Sequence, residues 1–336
     1  LCAIAIGWWT LGKQDQAIDP APEQPAQEAT EESTGESAAD EAKSESTTAE
    51  TPPAVEETTP EPETEAADSA PSITTDWPQW GGDSKHNNTP VGINIPTEWN
   101  IGSFDFRTGE WDSSEAENIK WVSRLGSQTY GNAVAADGKI YVGTNNSGGW
   151  LERYPSKVDL GCLICFDIET GKFLWQHCSE KLPSGRVHDW PLQGICCAPL
   201  VEGERLWFVT SRGEVRCLDT NGFYDDENDG PYTEEEFTTK DEADVVWVYD
   251  MMKEMGISQH NMCSCSITSA GDLIFVNSSN GVDVEHNYIP APEAPSFFAM
   301  NKNTGEVLWS DNSPGLNILH GQWSSASHAV LGGQAQ

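Results

Sequence analysis

Residues 165–175 read CFDIETGKFLW and residues 298–309 read FAMNKNTGEVLW. Each is an apolar run, then Asp167 or Asn301, then a Thr-Gly pair (Thr170-Gly171, Thr304-Gly305), then a second apolar run that closes on Trp175 or Trp309. Asp and Asn hydrogen-bond the backbone just beyond them and Gly supplies a positive φ, so the centre of each stretch is a tight turn between two strands. A third copy, CLDTNGF at 217–223, begins in the same way and reaches its tryptophan, Trp247, only after a long insertion. Ahead of each copy stands AVAADGKIYVGT (133–144), APLVEGERLWFVTS (198–211) or SITSAGDLIFVNSS (266–279), a short apolar run and a β-branched strand joined at Gly138, Gly203 or Gly271. Those glycines recur at intervals of 65 and 68 residues. Each unit therefore supplies four strands in a meander: inner strand, Gly turn, second strand, third strand, Thr-Gly turn and outer Trp-bearing strand. One such sheet cannot bury both faces alone, and repeats of it stack radially into a β-propeller.

The repeat also sets expectations for the ends. SSASHAVLGG (324–333) fits the inner-strand column with Gly332 at the turn, and the sequence closes at Gln336 before the second strand. Three blades and the first strand of a fourth are thus expected, the N-terminal part of a longer propeller running from residue 76 to 336. Residues 13–75 carry seventeen acidic side chains against two lysines and no aromatic residue, so they cannot offset the entropy of ordering and read as a disordered tether. Residues 1–12, LCAIAIGWWTLG, are apolar and read as the end of a signal or membrane-anchor segment, with Cys2 either a lipid-bearing cysteine or a residue inside that segment. An exported location makes disulfides permissible among the eight remaining cysteines. With 54 acidic against 18 basic residues and a formal charge of −36, the chain repels a phosphate backbone, which argues against nucleic acid as a partner.

The Asp-x-x-Thr-Gly-x-x-x-Trp pattern at 167–175, and its Asn301 counterpart, resembles the tryptophan-docking repeat of the PQQ-like propellers, and DWPQWGGDSKHNN (76–88) is similar to the segment preceding such propellers in exported bacterial proteins. The resemblance runs from about Gly131 to the C-terminus. It implies that Trp175, Trp247 and Trp309 pack against the neighbouring repeat and knit the ring together. It leaves function open, because the family includes quinoprotein dehydrogenases that bind pyrroloquinoline quinone (PQQ) and Ca²⁺ as well as outer-membrane assembly lipoproteins that bind no quinone.

Several residues are candidates for chemistry. Cys196 and Cys197 are adjacent and could close a strained, readily reduced vicinal disulfide. Their column, six and seven residues before the turn glycine, otherwise holds Gly131, Asn132, Ser264, Cys265, Ser325 and Ala326, so crowding at the hub accounts equally well for small residues there. Quinoprotein alcohol dehydrogenases place such a ring against the quinone, but farther ahead of the glycine and followed by an Asn-Arg-Gly sequence that this chain lacks. RVHDWPLQG, ISQHNM and ILHGQW carry His188, His260 and His320 into successive inner strands, so they should open on one face with Arg186, Asp189, Trp190, Gln322 and Trp323, lining one mouth of the channel. That face is the expected seat of a small ligand or protein partner; spacing alone gives the histidines no metal geometry. Asp225, Glu227, Asp229 and Glu236, with Gly230, follow the spacing of a Ca²⁺ loop, and a solvated acidic loop is the alternative. Cys162 and Cys165 have zinc-knuckle spacing, but strand alternation sends them to opposite faces. No nucleophile–base pair stands out. The sequence favours an exported, membrane-tethered binding or assembly scaffold; the competing reading is a periplasmic dehydrogenase using PQQ and Ca²⁺.

Overall fold

The computed structural model describes residues 76–90, 92 and 94–336. The expected anchor segment 1–12 and tether 13–75 lie outside the described residues. Among the described residues, no helix is long and apolar enough to cross a membrane.

A hairpin of β1 (Ser103–Phe104) and β2 (Trp111–Asp112) comes first. The first four-stranded sheet comprises β3 (Val134–Ala136), β4 (Lys139–Asn145), β5 (Leu160–Asp167) and β6 (Phe173–Glu180). The second comprises β7 (Leu200–Glu202), β8 (Arg205–Val209), β9 (Glu214–Asp219) and β10 (Val245–Asp250), followed by the one-turn helix α1 (Met251–Met255). The third comprises β11 (Thr268–Ala270), β12 (Leu273–Asn277), β13 (Phe297–Asn301) and β14 (Val307–Asp311). All three are antiparallel meanders in chain order. The fold is thus all-β, three complete propeller blades followed by a hairpin of β15 (Val330–Leu331) and β16 (Gln334–Ala335). That hairpin corrects the expectation that the sequence stops before the second strand of the next blade. Gly332 and Gly333, both at positive φ, turn the chain early enough for two residues to pair.

The blades converge through their inner strands. Ala198 N–H donates to Ser266 Oγ (3.0 Å) and Ser266 N–H donates to Ser325 Oγ (2.8 Å), linking three successive columns. A Cβ on Gly131 would stand 2.5 Å from the Cys197 carbonyl, so the first and second columns also touch. Small side chains are required at this hub because backbone meets backbone there. The 76–88 strap runs along the free edges of the inner strands. Trp77 pairs with Ala135, Val201 N–H donates to the Pro78 carbonyl (2.8 Å), His86 Nε2 lies 2.8 Å from Thr268 Oγ1, and His328 N–H donates to the Ser84 carbonyl (2.7 Å).

At the rim, indoles join blade to blade. Trp175 is fully buried and its Nε1–H donates to the Thr220 carbonyl of the second blade (3.2 Å), while Trp247 Nε1–H donates to the Lys302 carbonyl of the third (3.2 Å). Each indole lies over the glycine of the next blade's turn, Gly222 or Gly305. The first two blades are thus pinned to the next blade by their outer-strand indoles. Trp309 stands apart, 43% exposed and packed on Phe275 and Phe297 of its own blade. Sequence reasoning missed a further docking residue. Trp121 donates to the Ile168 carbonyl (2.8 Å) and covers Gly171, where φ is +69° and a Cβ would stand 2.4 Å from the ring. It also missed a further Thr-Gly turn in the first hairpin. Asp105 Oδ1 accepts from the Thr108 N–H (2.7 Å) and hydroxyl (3.1 Å), as Asp167 Oδ1 does from Thr170.

Candidate functional site

Where the three inner strands begin, Tyr130, Cys196 and Ser264 border one open cavity of ≈ 470 Å³. These residues come from the first, second and third columns, on the face where the repeat leads one to expect a channel mouth. Trp190, Gln193, Asn261, Met262 and Trp323 complete its walls. Apolar and aromatic walls with a few amide and hydroxyl groups are the usual make-up of a ligand seat. The Arg186 guanidinium lies 3.7 Å from the Trp190 ring centroid, fixing the indole's attitude by a cation–π contact. Trp190 N–H donates to the Asn261 carbonyl (2.6 Å) and Asn261 N–H to that of Val187 (2.7 Å), so two of the wall loops are stitched by backbone. Trp323 is held by its Nε1–H, which is 3.2 Å from both the His260 and Met262 carbonyls.

The remaining residues expected at the mouth have other surroundings. Asp189 is buried, ion-paired with Lys181, and accepts from the Leu182 N–H (3.0 Å). Gln322 Nε2 donates to the Asn280 carbonyl (3.0 Å) and Ser296 Oγ (2.9 Å), bracing the loop behind Trp323. His188 lies between Ser184 Oγ (2.9 Å from Nδ1) and Ser258 Oγ (3.4 Å from Nε2), and burial lowers its pKa. It is not grouped with His260 and His320. The third imidazole beside those two is His286, from the loop between β12 and β13. Ring centroids are 4.8 Å apart for His260–His286, 4.6 Å for His260–His320 and 4.8 Å for His286–His320. Trp323 lies edge-on to His320 at 4.9 Å, so one indole separates this cluster from the cavity. The pKa of His260 is lowered, first by burial; a backbone hydrogen bond to Val282 opposes this and the other two imidazoles add to it.

Cys196 and Cys197 are both free thiols. Cys197 is buried with its Sγ 3.3 Å from the Val209 carbonyl, whereas Cys196 lines the cavity. Burial pushes the Cys196 thiol up to about 12, with Lys181 opposing, so it is protonated and a poor nucleophile at neutral pH. Cys162 faces Cys178 across β5 and β6 with sulfurs 3.1 Å apart, and Cys165 pairs with Trp175.

The acidic insertion does not assemble the expected cation loop. Among the described residues, the histidine trio is the one group of three or more His, Cys, Asp or Glu placed to share an ion. Asp225 caps the Glu227 N–H (3.1 Å), Asp229 is ion-paired with Arg205 (2.7 Å), and Glu236 lines a different cavity, of ≈ 500 Å³, beside Arg153. That second cavity has charged walls already paired internally, Arg153 with Asp241 and Glu242 and Arg216 with Glu214.

No family model and no curated protein matches the sequence. Among solved structures the chain is similar to a quinohemoprotein alcohol dehydrogenase from Pseudomonas putida HK5 (10% identity, 70% of this chain and 26% of that one, TM-score 0.38). It is also similar to a europium-containing methanol dehydrogenase (13%, 70% and 31%, 0.39) and to BamB from Moraxella catarrhalis (16%, 63% and 59%, 0.32). The chain spans about a quarter to three-fifths of the length of these structures.

Proposed function

We propose that this chain is the blade-forming part of an extracytoplasmic, membrane-tethered scaffold that binds an apolar segment of a partner protein at the channel mouth. The observation that carries this is the cavity itself. Tyr130, Trp190, Met262 and Trp323 give it large apolar walls, and Gln193, Asn261 and Ser264 supply groups that can pair with a peptide backbone. The loops that form the mouth are joined by backbone hydrogen bonds, so little ordering has to be paid for on binding. The acidic 13–75 segment and apolar 1–12 segment of the sequence suit a tethered envelope protein.

A dehydrogenase is the second reading, favoured by one feature, the position of Cys196 in the cavity wall. The rest of the wall does not fit PQQ. It presents no Arg or Lys to a polyanionic quinone and no carboxylate to the accompanying Ca²⁺. A photo-crosslinking amino acid at Tyr130, 64% exposed, tested beside one at the outlying Phe106, 92% exposed, separates the readings. Capture of one envelope protein from Tyr130 alone, displaced by a peptide from that protein, supports the scaffold. Stoichiometric uptake of PQQ with Ca²⁺ and dye-linked alcohol oxidation would replace it with the dehydrogenase.

A further inference from the structure

The geometry points to a divalent transition-metal site formed by His260, His286 and His320, fitted to Zn²⁺ with one coordination position left to water. The nitrogens available as ligands all lie within 4.8 Å of one another. His260 Nδ1 is 2.8 Å from the Val282 carbonyl, which can only accept, so Nδ1 carries the proton and the Nε2 lone pair is free. That Nε2 is buried and has no hydrogen-bond partner, in a residue only 2% exposed. A backbone carbonyl holding one imidazole nitrogen while the other faces a shared centre is the outer-shell arrangement of metal-bound histidine. His286 and His320 present Nε2 to Nε2 at 2.9 Å. A tetrahedral Zn²⁺ with bonds of ~2.0–2.1 Å sets its ligand nitrogens roughly 3.3 Å apart, so binding asks His286 and His320 to separate by a few tenths of an ångström and the widest pair of the trio, within 4.8 Å, to close by up to about 1.5 Å.

The backbone brings the rings together from three loops. His260 N–H donates to the Ser279 carbonyl (3.0 Å), Gly281 N–H to that of Ser258 (3.0 Å) and Val282 N–H to that of His320 (3.1 Å). Gly281 permits this approach, because a Cβ there would stand 2.6 Å from both His260 Cβ and the His320 carbonyl. His286 itself adopts φ +60°, and its turn is fixed by Asp283 Oδ1, which accepts from the N–H groups of Asn287 (2.7 Å) and Tyr288 (3.0 Å). A bulky residue held in left-handed conformation is a local cost that the surrounding bonds sustain. Imidazole-only ligation suits Zn²⁺, Cu²⁺ and Ni²⁺ rather than Ca²⁺ or Mg²⁺. Because His286 and His320 are exposed, the ion would be reached from solvent and keep a water, the open form of a three-histidine site.

The test is a Zn²⁺ titration of the full chain by calorimetry, with excess Mg²⁺ present to occupy the acidic surface, paralleled by Co²⁺ monitored by visible absorption. One equivalent of Zn²⁺ and the bands of tetrahedral Co²⁺ are expected. His286→Ala and His320→Ala, both at exposed positions, should each weaken binding at least about tenfold, and His188→Ala should leave it unchanged. Absence of Zn²⁺ binding to the unaltered chain, or binding undiminished in both variants, overturns the assignment.

Discussion

Replacing Trp175 with Ala should cost far more stability than the same change at Trp309, although both close the same sequence pattern. Trp175 is wholly buried between two blades and spends its Nε1–H on the Thr220 carbonyl, so truncation leaves a cavity the size of an indole and an unpaired acceptor. Core Trp→Ala substitutions cost about 3–5 kcal/mol. Trp175→Phe keeps most of the packing and loses the hydrogen bond and the second ring, for about 1–2 kcal/mol. Trp309 is 43% exposed and packs on Phe275 and Phe297 of its own sheet, so its loss should cost less than about 1.5 kcal/mol. Urea unfolding followed by far-UV circular dichroism gives the three values, and Trp121→Ala should rank with Trp175→Ala because Trp121 docks on Gly171 in the same way. Equal losses at Trp175 and Trp309 would refute the claim that docking between blades, and not the motif itself, stabilises the fold.

Gly171→Ala should destabilise by about 2–3 kcal/mol, since its Cβ meets the Trp121 ring at positive φ. Gly138→Ala, also at positive φ but with open space around it, should lose only about 1 kcal/mol, as thermal melts of the two variants will show. Asp244 is buried with Oδ1 unpartnered, and desolvation pushes its pKa up to about 7 from 3.8, helped by Glu235, Asp229 and Asp219 and opposed by the Asp229 N–H. A raised carboxyl pKa costs nothing below the unfolded value and its full penalty above the folded one, so this residue makes stability fall as pH rises from about 4 to 7. Asp244→Asn keeps an acceptor for the Asp229 N–H and removes the charge; it should flatten that slope and raise stability at pH 8 by on the order of 2 kcal/mol, measured by chemical denaturation across pH.

The blades were legible because their determinants are local. A Thr-Gly turn stabilised by Asp167 or Asn301, a positive-φ glycine and an alternating strand are each written within a dozen residues. Trp121 was legible in principle, standing ahead of the first inner strand as Trp175 and Trp247 stand ahead of the next two, but it has no Thr-Gly turn at the repeat's spacing before it. The site was only partly legible. Trp190 and Trp323 reach the cavity because their loops enter inner strands, which the repeat locates, whereas Asp189 and Gln322 in the same loops turn inward to Lys181 and Asn280. His286 joins His260 and His320 through the close approach at Gly281, a tertiary event with no trace in spacing. The acidic loop matched a cation motif, yet Arg205 on β8 claims Asp229, and a one-dimensional pattern cannot register that competitor.

The most direct test of the radial arrangement is a cross-link at the hub. In the Ser266→Cys/Ser325→Cys double variant, whose native residues are joined by a 2.8 Å hydrogen bond between neighbouring columns, mild oxidation followed by peptide mass spectrometry should recover a disulfide between positions 266 and 325. Failure to recover that pair, with each new cysteine instead free or bonded within its own sheet, would contradict the account.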